Sequence, residues 1–337
     1  MSDLNRPPLF LNVAPSGLEP TFSEFRAAMG DRSFDLFDKS SEDGEPDFAG
    51  RKAVVDLGGW GQRDQTSKAV AAGVSLWHVL GYGLDHLDLA YLQENGVTVA
   101  HTPGSCSAIS LGEHAMFLIL ACARKLNEQR ANLDSGTFYH PWTHELAGRR
   151  LLLIGVGASG RELARRASAF GMEIRGIDVV APAAEELREL GIVSVGSPSE
   201  LHEALPGADV VSLHLPLTRE THHILDAKAI SLLGPESIVV NVARGALIEE
   251  AALLAALEQG RIGAAGLDVF ETESLGSAPP VARHPRVVAT PHTAGVVYET
   301  VQRRARFVVD NLDRLAAGAP VIGQVPSGDF LAGAGAR

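Results

Sequence analysis

Residues 151–160 read LLLIGVGASG. Four apolar residues form a short buried strand, and Gly155, Gly157 and Gly160 then fit G-x-G-x-x-G at the entry to a helix over 161–170. Each glycine has a separate task. The first permits a sharp turn, the second lets the backbone approach a pyrophosphate, and the third lets helix and strand pack closely. A helix start also offers backbone N–H groups to phosphate. Such a triplet is common by itself, and a purely structural strand–helix turn is the plain alternative. Its place between a strand and a helix makes it, with Ala158 and Ser159, a candidate dinucleotide site. Asp178 ends the next apolar stretch, EIRGI at 173–177. A carboxylate there bonds the adenine ribose hydroxyls and repels a 2′-phosphate. No arginine follows in VVAP at 179–182, so NAD is expected over NADP.

The same strand and helix alternation runs outward in both directions. Downstream, strands are expected at 151–154, 173–177, 192–195, 209–214, 237–242, 264–269 and 287–290, with helices at 161–170, 185–190, 227–233 and 249–259. Upstream, strands are expected at 9–14, 53–57, 75–80 and 97–100. Helices are expected around Phe22 to Met29, at 67–72, and after a cap at Asp85. This alternation predicts parallel sheets covered on both faces. Residues 107–133 read as one long helix, roughly 40 Å at 1.5 Å per residue, bridging two domains. Residues 296–317 carry a single apolar stripe and read as a helix crossing back to the first domain. The expected fold is α/β with two doubly wound domains: a Rossmann NAD-binding domain, 107–295, inserted into a discontinuous flavodoxin-like substrate domain, 1–106 and 296–337.

Bulk properties agree. A chain of 337 residues favours two cores. With 45% hydrophobic and 21% charged residues, the composition is that of an ordinary soluble protein. Net charge is −12 with no basic stripe, which argues against a nucleic-acid partner but not against a small anion held by one arginine. Cys106 and Cys122 have neither disulfide nor metal spacing and read as packing residues, and no metal-ligand cluster is evident. MSDLNRPPLF lacks a signal core, and the longest apolar run, 115–123, is too short to span a bilayer. A cytoplasmic protein with no membrane partner is expected. The Gly/Ala/Pro-rich tail after Gly318 is expected to be loosely held.

Three residues past later strand ends carry candidate chemistry. Arg244 lies in NVARG, and its planar fork suits a carboxylate and a keto oxygen, although a structural ion pair would also explain it. His292 lies in TPHTAG, one of twelve histidines, singled out by its strand-end position. Glu273 lies in LDVFETES and would fix the tautomer of an adjacent imidazole. Glu271 competes for that role, and spacing does not separate the two. In the mechanism this suggests, Arg244 and the N–H groups around Gly81-Tyr82-Gly83 hold a 2-keto acid. NADH delivers hydride, and His292 supplies the proton.

At these residues the chain resembles the NAD-dependent D-2-hydroxyacid dehydrogenase family over nearly its whole length. The matching segments are GYGLDHLDL, HTPG followed by GEHA, ELAGRRLLLIGVGASG, VSLHLPLTRETHHIL, NVARGALIEEAALLAAL, AAGLDVFETE and TPHTAG. The resemblance implies Arg244, Glu273 and His292 as catalytic residues, favours Glu273 over Glu271, and implies binding of substrate by Gly81, Tyr82, Gly83, Arg244 and His292. It implies NAD contacts from Asp178, Leu215, Val242 with Ala243 and Arg244, Asp268 and His292, and a homodimer. The expected substrates are small 2-keto acids resembling glyoxylate, hydroxypyruvate or phenylpyruvate and their D-2-hydroxy acids. Departures are Ser274 where proline is usual, Ala158-Ser159 in the glycine turn, His86 where asparagine is common, and a longer loop at 104–111. Alternatives on the same fold are an NAD-sensing corepressor-like protein and a phosphite or formate dehydrogenase. The retained His–Glu pair argues against formate, and the lack of lysine in 80–85 weakens phosphite. No regulatory domain is expected after the last helix, as a feedback-controlled phosphoglycerate dehydrogenase would require.

Overall fold

A computed structural model describes residues 6–12, 21–39, 44–59, 61–84, 87–274 and 276–326. The chain divides into two compact units, Met1–Cys106 with Val296–Arg337, and Ser107–Gly295. The expected cap at Asp85, His86, the end of the first strand and the tail beyond 326 lie outside the described residues.

The first unit holds strands β1 (Leu9–Asn12), β2 (Asp35–Asp38), β3 (Ala53–Asp56), β4 (Leu76–Val79) and β5 (Thr98–His101). They form an all-parallel sheet in the order β2-β1-β3-β4-β5, the flavodoxin-like order. Side chains alternate between two cores. Leu9, Leu11, Val54, Trp77 and Val79 enter one, while Phe10, Ala53, Val55 and Leu76 enter the other. The second core is closed by Ala305, Val308 and Leu312 of the helix Tyr298–Ala316, so that late segment belongs to the first unit. His78 of β4 is fully buried and accepts from Asn311 Nδ2 at 2.9 Å; burial pushes it down to about 4, which keeps it neutral.

The second unit holds β6 (Arg150–Ile154), β7 (Glu173–Ile177), β8 (Ile192–Gly196), β9 (Val210–Leu213), β10 (Ile238–Asn241), β11 (Ala264–Leu267) and β12 (Val287–Ala289). Their parallel order is β12-β11-β10-β9-β6-β7-β8, the dinucleotide-binding order with one more strand at the far edge. The order reverses at the β6/β9 junction, and a ligand crevice opens at the carboxyl ends of strands at such a switch point.

One expected element is corrected. Residues 107–133 form two helices, Ala108–Ala123 and Leu126–Asp134, broken where Lys125 takes a left-handed φ of 50°. The first buries Ala115, Leu118, Ile119 and Cys122 in the core of the second unit; the second, LNEQRANLD, buries nothing. Continuous helical periodicity thus concealed a change from a core face to a solvated one. The first piece lies close against its neighbours: a Cβ on Gly112 would come within 2.7 Å of Glu162, and one on Gly266 within 2.7 Å of Leu118.

Candidate functional site

The glycine turn leaves β6 with Gly155 at a φ of 98°. A Cβ on Gly155 would lie 2.5 Å from the carbonyl oxygen of His214, and one on Gly160 would lie 2.2 Å from that of Gly155. Protein packing therefore demands both. Gly157 is different: a Cβ there would meet nothing within 4 Å. It caps the helix Ala158–Ala169, whose first N–H groups have no partner within the helix. That open space at a helix start fits a pyrophosphate. Asp178 lies at the same place, its carboxylate accepting from Val156 N at 2.6 Å and Val180 N at 3.1 Å. Leu215 packs over Gly155, and Val242 and Ala243 are buried at the end of β10.

Two residues here, His214 and Ser212, escape sequence reasoning. Ser159 Oγ bonds His214 Nδ1 at 3.1 Å, and His214 Nε2 bonds Ser212 Oγ at 3.0 Å. Burial pushes His214 down to about 4, so the imidazole is a neutral brace beneath the turn. Its only sequence signal was the histidine in VSLHLP. Arg161 donates to Val156 O at 2.9 Å and pairs with Glu186, so its charge is already met.

The chemical trio comes from the ends of β10, β11 and β12. Buried Asn241 shapes the first turn, donating to Arg244 O at 2.8 Å and accepting from Ala243 N at 3.0 Å. Half-buried Arg244 donates to Ala243 O at 2.7 Å. The segment after β11 lies directly on this turn, since a Cβ on Gly245 would sit 1.8 Å from the backbone carbon of Phe270. Glu273 accepts from Phe270 N at 3.2 Å and from His292 Nδ1 at 2.8 Å. Its side chain is 40% open, yet the surrounding protein pushes its pKa up; the His292 hydrogen bond and charge, the Phe270 N–H and the Arg244 charge outweigh that and hold it below the usual carboxylate value. The structure thus brings Arg244, Glu273 and His292 together.

His292 is itself held in the left-handed region, at a φ of 54°, with its N–H on Asp268 O at 2.7 Å. Asp268 is fully buried, and its carboxylate accepts from Thr290 Oγ1 at 2.5 Å, Thr293 N at 2.8 Å and Ala294 N at 2.9 Å. Here that carboxylate is directed onto the His292 turn. Glu271 joins a different imidazole, His223, at 2.6 Å, so the carboxylate bonded to His292 is that of Glu273.

Gly81-Tyr82-Gly83 belongs to the first unit. Thr102 N donates to Gly81 O at 3.2 Å, and His101 Nδ1 bonds Tyr82 O at 2.9 Å. The Tyr82 ring lies 5.0 Å from that of His101, with 43% of the residue exposed.

Comparison with known proteins now gives the class. Residues 116–294 match the family described as D-isomer specific 2-hydroxyacid dehydrogenase, NAD binding domain. The chain is 38% identical to hydroxypyruvate reductase of Thermotoga maritima over 258 residues, 73% of this chain and 80% of that protein. It is 36% identical to D-3-phosphoglycerate dehydrogenase of Methanocaldococcus jannaschii over 240 residues, 71% of this chain but 45% of that protein. The solved D-lactate dehydrogenase of Aquifex aeolicus, complexed with NAD and lactic acid, matches with a TM-score of 0.79 at 28% identity, covering 96% of this chain and 99% of that one. The chain belongs to the D-isomer-specific 2-hydroxyacid dehydrogenase family. By that membership it is an oxidoreductase of CH–OH donors with NAD as cofactor.

Proposed function

We propose that this chain interconverts a small 2-keto acid and its D-2-hydroxy acid, with Arg244, Glu273 and His292 as the catalytic residues. The observation that carries the reading is the 2.8 Å bond from His292 Nδ1 to Glu273 beside Arg244. A carboxylate can only accept, so Nδ1 carries a hydrogen and Nε2 is the atom that gives or takes the substrate proton. In reduction, Arg244 holds the substrate carboxylate and polarises the carbonyl, and His292 Nε2–H protonates the forming alkoxide. In oxidation the neutral imidazole removes that proton. Gly155, Gly157, Ala158, Ser159, Gly160, Asp178, Leu215, Val242, Ala243 and Asp268 would hold NAD(H), which when bound would supply the hydride for reduction and take it up in oxidation. The first unit's proposed part is the Gly81-Tyr82-Gly83 turn in substrate binding.

Asp178 beside the glycine turn, with Arg161 already paired to Glu186, supports NAD over NADP. The hydroxypyruvate and lactate chemistry named for relatives supports a substrate of similar size. The proposed form is a cytoplasmic homodimer. Support for the dimer is a run of exposed aromatics in the second unit, with Phe138 65%, Tyr139 98% and Trp142 83% exposed, since clustered exposed apolar side chains mark interaction surfaces. Sedimentation of wild type and of Phe138→Ser/Trp142→Ser checks it.

The test of function is NADH oxidation with glyoxylate, hydroxypyruvate, pyruvate and phenylpyruvate, and NAD reduction with formate and phosphite, for wild type and His292→Asn. Turnover of a keto acid that His292→Asn abolishes supports the reading. Formate or phosphite oxidation that survives in His292→Asn overturns it.

A further inference from the structure

The Thr290 hydroxyl joins two groups that neither give nor take the substrate proton. It lies 2.5 Å from Asp268 Oδ1 and 2.8 Å from His114 Nε2. His114 projects from the helix Ala108–Ala123 with only 18% of its side chain exposed. The direction of each bond follows from proton counting. The Asp268 carboxylate accepts from Thr293 N and Ala294 N, and as an ion it has no hydrogen to give. The one Thr290 proton therefore goes to Asp268, and His114 Nε2–H must be the donor to Thr290. Burial lowers the His114 pKa, against the opposing charge of Asp268, in keeping with a neutral Nε2–H imidazole.

The far end of this chain is the His292 turn. His292 holds a backbone conformation that non-glycine residues seldom adopt, at a φ of 54°. Such a conformation persists only where the surroundings over-determine it. The restraints include the Asp268 carbonyl, and at 3.1 Å the Thr290 carbonyl, on His292 N, and the Asp268 carboxylate on the next two N–H groups, Thr293 and Ala294. The carboxylate is itself oriented by Thr290, and Thr290 by His114. We propose that His114 and Thr290 are positioning residues that act through Asp268 to hold the backbone of His292, and with it the angle at which Nε2 meets the substrate. The inference rests on His292 being the proton donor.

The experiment compares Thr290→Val, Thr290→Ser, His114→Leu and His114→Gln with wild type and His292→Asn. Valine keeps the shape of threonine and removes both bonds; serine keeps the hydroxyl. Glutamine keeps a donor near the Nε2 position, and leucine does not. The readouts are kcat, KM for the keto acid, NADH Kd by fluorescence, Tm, and the His292 ring signals by NMR. Misplacement by about 1 Å costs ~100-fold in rate, so kcat should fall ~10- to 100-fold in Thr290→Val and His114→Leu. Serine and glutamine should restore most of it. NADH Kd and Tm should hold, and the His292 ring signals should shift only in Thr290→Val and His114→Leu. If Thr290→Val fails to fold, the His114 pair decides by the same criteria. Wild-type kcat in Thr290→Val or His114→Leu overturns the inference. So does a joint fall of kcat, NADH affinity and Tm, which marks a merely structural role. Activity retained in His292→Asn instead removes the proton-donor reading beneath it; an inactive His292→Asn beside a fully active Thr290→Val removes the inference alone.

Discussion

Replacing Glu273 by glutamine keeps size and hydrogen-bonding capacity while deleting one charge 2.8 Å from the His292 ring. Two unit charges at ~4 Å interact by about 1 kcal/mol in water and about 4 kcal/mol at an effective dielectric near 20. The two side chains are 49% and 40% exposed, which places this pair near the watery limit. One pH unit corresponds to about 1.4 kcal/mol, so a displacement of about one unit is expected. The sign follows from which form the carboxylate favours. Ionised Glu273 favours the protonated imidazole, and the variant lacks that charge. The alkaline limb of kcat/KM for reduction, which needs the proton, should move down by about one unit. The acid limb for oxidation, which needs neutral imidazole, should move the same way. Glu273 itself does not distort the comparison. Its pKa is held below the usual carboxylate value, so it is ionised throughout the assay range, and the stability it contributes is lost only as pH falls through that lowered value. The assay is kcat/KM in both directions from about pH 5 to 10, spanning imidazole titration. If neither limb moves, Glu273 is not the partner of the proton donor.

Arg244→Ala should lower keto-acid kcat/KM by at least ~100-fold while leaving NADH Kd intact, since charge-assisted hydrogen bonds contribute about 1.5–3 kcal/mol each; Arg244→Lys should recover only part, and a fall of less than ~10-fold would make Arg244 structural. Asp178→Ala with Val179→Arg should narrow the preference for NADH over NADPH in kcat/KM, and wild type that favours NADPH would refute the role of Asp178. Gly157→Ala should weaken NADH binding with Tm unchanged, because its Cβ meets only open space, whereas Gly160→Ala, pressed to 2.2 Å from Gly155 O, should lower Tm; equal Tm losses would count against the distinction. Gly245→Ala should lower kcat by forcing Phe270, and the Glu273 segment behind it, off the Arg244 turn; wild-type kcat would show that the contact is relaxed without cost.

Legibility in the sequence followed burial. The central strands of the second unit, β6, β9 and β10, sit where apolar runs predict them, because a parallel sheet buried on both faces leaves continuous hydrophobic stretches. β2 was not legible: DLFD carries an aspartate at each end and pairs only with β1 at the sheet edge. The break at Lys125 was hidden because helical spacing continues through it while the buried face ends. In the candidate site, residue types and strand-end positions singled out Arg244 and His292 but not one glutamate; the family resemblance favoured Glu273 over Glu271, and the coordinates pair each carboxylate with its own imidazole. The contacts that orient Asp268 on the His292 turn and Ser159 on His214 join residues far apart in sequence, and no local pattern encodes them.

The central claim is tested most directly by the configuration of the product. Wild-type protein should reduce a prochiral 2-keto acid such as pyruvate or phenylpyruvate with NADH, and chiral chromatography should find only the D-2-hydroxy acid, with none formed by His292→Asn. Formation of the L isomer, a racemic product, or undiminished product from His292→Asn would contradict the account.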